Sequence, residues 1–162
     1  MLVRQATIND VDRILELFNE SRAFMRSYGN KDQWPDSYPN KEIVLNDIKL
    51  KQCFVCEDDN KDVIGTVTIA GPEAYYNTLF SGKWLNEAPY VTIHRIATGG
   101  SKKGAGKLLV KYTLDHYDNV RGDTHELNTP MQQLFLDFNF KYVGVCYLDD
   151  GIRTRLCYHY VK

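Results

Sequence analysis

The run from Arg95 to Tyr112, RIATGGSKKGAGKLLVKY, holds the residues whose types and spacing most clearly carry chemistry. Glycine lets a backbone come close to a ligand, and a helix starting just after the loop leaves its first N–H groups aimed at one point. The positive end of the helix dipole sits there too, so a strand, glycine loop and helix in that order suit a phosphate. Lys102, Lys103 and Lys107 add mobile positive charge around the same spot, fitting a diphosphate or a ribose phosphate. A glycine cluster alone is equally compatible with a solvated turn that caps a helix.

Two nucleotide loops can be tested directly. A Walker A loop needs Gly where Ser101 stands and Ser or Thr where Leu108 stands, so it fails twice. A dinucleotide fingerprint needs a third glycine where GAGKLL has Leu109, and no parallel βαβ repeat surrounds it. The Cys53-x-x-Cys56 pair tempts a metal or redox reading. It lies in what reads as a strand, where side chains three apart point to opposite faces, and no second pair completes four ligands. Buried free thiols and no metal are therefore expected.

The elements that must position this loop follow from periodicity. LVRQA reads as a strand, Thr7 and Asp10 as a capping box, and Val11, Ile14, Leu15 and Phe18 as the buried face of a helix. A loop rich in Pro, Asn and Asp, YGNKDQWPDSYPN, precedes a short helix from Lys41 to Leu50. CFVCEDDNKDVIGTVTIAG predicts two strands turned at Asp58, Asp59 and Asn60. After the irregular PEAYYNTLFSGKWLNE, PYVTIHRIA suits a central strand. Ala105, Leu108, Leu109 and Tyr112 have the spacing of a helix packed on a sheet. A strand around GDTHEL, a helix from Pro130 to about Phe138, and the strands KYVGVCYL and TRLCYHYV complete the chain. The class is α/β (α+β): one domain over residues 1–162, a mixed and largely antiparallel sheet of about six or seven strands, and about four helices.

Composition narrows the function. With 162 residues and 43% apolar content the chain is sized for one core. Its net charge of −1 provides no field to gather nucleic acid or an anionic membrane. No apolar run approaches the ~18 residues that cross a bilayer, and no basic and apolar signal region opens the sequence, so a cytoplasmic location is expected.

SKKGAG, residues 101–106, resembles the acetyl-CoA loop of the GNAT N-acetyltransferase family, whose pattern is Gln or Arg, two residues, Gly, one residue, then Gly or Ala. PYVTIHRIAT stands where that family has its fourth strand, and NTPMQQLFLDFNFKYVG resembles its downstream Asn-x-x-Met-x-x-Leu…Phe helix and strand. The order of elements agrees over nearly the whole chain. Resemblance implies a sheet splayed at the central strand, with the backbone of Ile96 and Ala97 binding the pantetheine arm. It further implies that amides from Ser101 through Lys102, Lys103, Gly104 and Ala105 to Gly106, with Lys107 nearby, hold the pyrophosphate. Asn128 would contact the cofactor's arm. The departures are Ser101 for the first Gln or Arg, Asn139 for a glycine, and Phe135 where many members carry a tyrosine that protonates the leaving thiolate.

The implied activity is acetyl transfer from acetyl-CoA, as donor cosubstrate, to a primary amine of a small molecule or a peptide, by direct attack in a ternary complex. It needs a neutral amine, a polarised thioester carbonyl and close positioning. A backbone N–H at Ile96 or Ala97 is placed to polarise the carbonyl. Candidate bases are His94, sharing a strand face with Thr92 and Ile96, and Asp123, which aligns with a glutamate base of members that acetylate protein amino termini. Trp34, Asp36 and Tyr38 occupy the loop that shapes the acceptor site in that family, with Asp36 able to attract an ammonium. Two other readings stay open. One is an acyl-CoA-binding sensor without turnover, suggested by Phe135 and Ser101; the other is a different phosphate-binding regulator. Monomer and homodimer are both compatible with the edge strands.

Overall fold

The computed structural model describes residues 1–99 and 103–162. Among these the strands are β1 (Leu2–Gln5), β2 (Cys53–Glu57), β3 (Val63–Ala70), β4 (Ser81–Gly82), β5 (Val91–Thr98), β6 (Asn119–Thr124), β7 (Lys141–Tyr147) and β8 (Thr154–Val161). The helices are α1 (Val11–Ser27), α2 (Lys41–Lys49), α3 (Ala105–His116) and α4 (Thr129–Asp137). All eight strands form one sheet in the order β1-β2-β3-β5-β6-β8-β7-β4. Only the β5–β6 pair is parallel. The sheet has one strand more than the upper expectation because the two-residue β4, inside the irregular stretch, pairs with β7. β6 also starts earlier than expected: Asn119 to Arg121 is drawn into the ladder with β8, which leaves Asp123 near the strand's end.

Each helix forms where its local signals say it should. The Thr7 amide donates to Asp10 Oδ2 at 2.7 Å and opens the turn that leads into α1. Val11, Ile14, Leu17, Phe18 and Met25 of α1 are buried with Val44 of α2 against Val55 and Ala97. On the opposite face Ala105, Leu109 and Val110 of α3 and Phe135 of α4 are buried against Val67, Ile93 and Val120. Burying one such side chain is worth ~1.5–3 kcal/mol. An exposed pair such as Lys111–Asp115 is worth at most about 1 kcal/mol, so the apolar faces set where the helices lie. Glycine at position 65 lets α3 settle on β3. A Cβ there would lie 3.1 Å from Leu109 Cδ1 and 3.2 Å from Ala105 Cβ. The two cysteines of the C-x-x-C pair face opposite sides: Cys53 belongs to the core under α1 and Cys56 to the core under α3. Burial pushes the Cys53 thiol up to about 11, and all four cysteines are free and buried.

Strand β5 departs from regular alternation. Arg95 has φ +50°, and the register with β3 passes from Thr66↔Ala97 to Thr68↔His94, so Val67 alone opposes Arg95 and Ile96. This is a bulge, and it corrects the expectation that Thr92, His94 and Ile96 share a face. His94 and Arg95 both turn toward the α2 side, whereas Ile96 packs with Ile93 on the α3 side. Asp47 of α2 holds the bulge: Arg95 Nε and Nη2 reach its carboxylate at 2.8–3.0 Å, and Thr68 Oγ1 donates to it at 2.9 Å. Burial works against the charge on Arg95, but Tyr38 and Asp47 outweigh it and hold the guanidinium above the ordinary arginine range. Removing one partner of a buried pair leaves the other charge uncompensated. Asp47→Ala is therefore expected to lower stability by about 3–5 kcal/mol in urea denaturation, with Asp47→Asn losing less.

β8 contributes a second buried polar centre. His159 is fully buried, its Nδ1 accepts from the Leu85 amide at 3.0 Å, and its Nε2 donates to Asn119 Oδ1 at 2.6 Å. Burial, with Arg121 nearby, lowers it from 6.5 to about 4. Between those values the unfolded chain binds more protons than the folded one, so stability rises with pH. Urea midpoints are expected to fall as pH drops from 6.5 toward 4, and His159→Gln should flatten that slope; a flat wild-type profile would contradict the assignment.

Candidate active site

The parallel pairing of β5 with β6 runs Val91↔Val120, Thr92↔Arg121, Ile93↔Gly122 and stops. β5 continues along β3 to Thr98, and β6 continues along β8 to Thr124. The two strands therefore splay one residue before the bulge, and from His94 onward β5 has no ladder partner on that side. Backbone donors and acceptors left unpaired at such an edge are ready to bind an extended ligand as a strand would be bound. A cavity of about 560 Å³ opens at the splay. Its walls come from the second half of α1, the 33–38 loop, α4 and the turn between β7 and β8.

The N-terminus of α3 stands at one end of this cavity. Gly104 caps it with φ +104°, a conformation glycine adopts without strain. The first helical bond runs from the Leu108 amide to Gly104 O at 3.0 Å, leaving the amides of Ala105, Gly106 and Lys107 without helical acceptors. Gly106 lines the cavity, together with Ile96 and Ala97 of β5. Lys103 is exposed, and the equally exposed Lys107 reaches Asp137 at 3.3 Å. Ser101 and Lys102 lie outside the described residues. Asn128 also lines the cavity while capping α4: its Oδ1 accepts from the Met131 amide at 3.1 Å and from the Tyr28 hydroxyl at 3.2 Å. Asn139 has φ +61°, a left-handed conformation that asparagine adopts more readily than most residues.

Phe135 is fully buried yet borders the cavity, stacked on Tyr158 at 5.0 Å. A Cβ on Gly122 would fall 2.6 Å from Phe135 Cζ, so the ring tip lies against the last residue of β6 paired with β5. Position 135 thus presents only C–H at the apex of the splay.

His94 and Asp123 both reach the cavity, from the two diverging strands. His94 Nε2 is 2.8 Å from Glu73 Oε1, which orients the ring. Asp123 Oδ2 accepts from the Tyr76 hydroxyl at 2.6 Å and from Tyr75 at 3.2 Å, while Oδ1 lies 3.9 Å from Arg155 Nε. Burial, reinforced by Asp123, pushes both tyrosines well above the ordinary range, so they remain donors. Trp34 is both core and wall: it meets Phe18 edge-on at 5.5 Å and lines the cavity beside Tyr38. Arg22 pins this loop by donating to Tyr38 O at 2.9 Å. The structure does not bring Asp36 to the cavity lining; the exposed carboxylate pairs outward with Arg26 at 2.7 Å.

Glu73, Arg95 and Arg155 were not singled out from sequence. Glu73 lies 21 residues before His94, and no spacing rule joins them. Arg155 carried a usable signal, being a lone charge among the apolar residues of TRLCYHYV, where an inward position is costly unless it serves something. Among the described residues no group of three or more His, Cys, Asp or Glu is placed to hold a metal ion, and no helix is long and apolar enough to cross a membrane.

No family model and no curated protein matches the chain. Solved structures do. A GNAT family acetyltransferase from Streptococcus agalactiae 2603 is 32% identical, with a TM-score of 0.88 over 99% of this chain and 95% of that one. A GNAT family acetyltransferase from Listeria monocytogenes 4b F2365 is 18% identical, with a TM-score of 0.70 over 99% and 94%. A ribosomal-protein-alanine N-acetyltransferase from Brucella melitensis is 12% identical, with a TM-score of 0.68 over the whole of both chains. The last two share the fold; the first, at that identity over nearly its full length, shows that the chain belongs to the GNAT acetyltransferase family.

Proposed function

We propose that the protein transfers an acetyl group from acetyl-CoA to a primary amine by direct attack. The observation that carries this is the splay of β5 from β6 beside the first-turn amides of α3, which have no helical acceptors. Those amides suit the diphosphate, and the unpaired backbone at Ile96 and Ala97 suits the pantetheine amides. Bound there, acetyl-CoA supplies a thioester: nitrogen bonds to the acyl carbon, the carbon–sulfur bond breaks, and the thiolate takes a proton from water. A thiol of pKa ~8.5 leaves without an acid, which is compatible with Phe135.

The chain's own residues prepare the amine. Asp123, held by two tyrosine hydroxyls, receives the ammonium from the acceptor end of the cavity. His94, its Nε2 turned to Glu73, accepts the surplus proton at Nδ1. An N–H of Ile96 or Ala97 polarises the carbonyl. A second reading, a CoA-binding module without turnover, draws on Phe135, which puts no donor at the apex.

A ligand that binds only the folded state raises its melting temperature. Acetyl-CoA and CoA are expected to do so, and ATP and NAD are not; no shift with either CoA compound would defeat the proposal. Release of free thiol across an amine panel then separates the transferase from the module, which would show the shift and no thiol. His94→Gln is expected to lower kcat/KM about 100-fold or more while the CoA-induced shift stays unchanged.

A further inference from the structure

We infer that the acceptor is a compact α-amino acid, its amine and its carboxylate carried on one carbon, read by Asp123 and Arg155 together. This rests on the proposed reading of the cavity as an amine acetyltransferase site.

The charged groups of the cavity differ in how far they are already paired. Among the described residues, three arginines line it: Arg95, Arg153 and Arg155. Arg95 is bound to the Asp47 carboxylate through Nε and Nη2 and to the Tyr38 hydroxyl through Nη1. Arg153 is half exposed and tied to Asp150 beside it in the turn. Arg155 differs from both. Its side chain is only 6% exposed, and among the described residues the carboxylate paired with it is Asp123, at 3.9 Å. Its other contacts are two backbone carbonyls, Thr154 O at 2.9 Å and Gln33 O at 3.4 Å. A guanidinium has five N–H donors, and a buried one is costly unless they find acceptors. Three contacts, two of them long, leave donors without an acceptor among the described residues, on a side chain that lines the cavity.

Asp123 complements it. Both tyrosine hydroxyls bind Oδ2, so Oδ1 is left toward Arg155 and the cavity. An anion and a cation 3.9 Å apart on one wall form the mirror of a zwitterion whose ammonium and carboxylate are separated by a single carbon. A plain alkylamine would satisfy Asp123 and leave Arg155 as it is. A peptide amino terminus would do the same, because its α-carboxylate has become an amide. Trp34, Tyr38 and Tyr75 border the same space and leave room for a side chain.

Wild-type protein and acetyl-CoA would be offered glycine, L-alanine, L-methionine, L-phenylalanine and L-glutamate, each beside its α-carboxamide, with n-butylamine as the plain amine. Free thiol release is followed, and the same compounds are added to CoA-saturated protein in a thermal-shift measurement. The amide's amine is the more easily deprotonated, so a preference for the acid cannot come from intrinsic reactivity. At least one free amino acid is expected to exceed its amide in kcat/KM by roughly tenfold or more. Arg155→Met should erase that preference by raising KM for the acid and not for the amide, and Arg155→Lys should retain part of it, which separates recognition from a folding defect. Amides or butylamine used as well as the acids would overturn the inference and leave the acetyltransferase reading intact. Stabilisation by an acid but not by its amide, with no thiol released from any amine, would support the recognition and remove the transferase. No turnover of any acid together with no stabilisation by any acid would overturn the inference.

Discussion

The buried contact between Arg95 and Asp47 is the constraint on which the site depends. A non-glycine residue with φ +50° in the middle of a strand carries a conformational cost that its surroundings must offset. The carboxylate of α2, itself held by Thr68, offsets it with a bidentate, charge-assisted pairing. The bulge so stabilised bends β5 and raises its twist. Its parallel partner cannot follow, and the pairing ends at Ile93. A sheet that is continuous at one end and open at the other is the result, and the cavity is the opening.

The two faces of the sheet then divide the work. Under α3 the core is apolar, and its role is placement: the close seat at Gly65 sets where the first turn of α3 stands relative to the free edge of β5. On the other face the packing is mixed with charge and hydroxyl groups, and these reach the cavity. The bulge connects the two arrangements, because it sends His94 and Arg95 to the polar side while keeping Ile96 in the apolar core. A regular strand would have alternated them.

The Asp123 end of the cavity shows how buried polar groups stay compatible with a stable fold. Tyr75 and Tyr76 donate to one oxygen of Asp123, so its charge is partly met before any ligand arrives. Trp34 and Tyr38 pin their loop and form cavity wall with the same rings. Phe135 is explained by packing at its base and tip, where Tyr158 and Gly122 leave it no polar neighbour.

Much of the fold was legible in the sequence, because its determinants are local. The apolar spacing of α1 and α3, the Asn128 cap of α4 and the Asp-rich turn before β3 specify their elements without distant information. The expectation of phosphate chemistry at the glycine loop is of the same local kind, since amides without helical acceptors at a helix start are a property of neighbours in the chain. The opposite faces of Cys53 and Cys56 followed from strand period alone. Beyond that range local rules stop. The bulge depends on a carboxylate 48 residues away from Arg95, the orientation of His94 on a glutamate 21 residues away, and Asp36 is drawn outward by Arg26. The 3.9 Å approach of Arg155 to Asp123 exists only because β8 inserts between β6 and β7. Hydrogen bonds and ion pairs act over a few ångströms, and only the folded sheet decides which residues come that close.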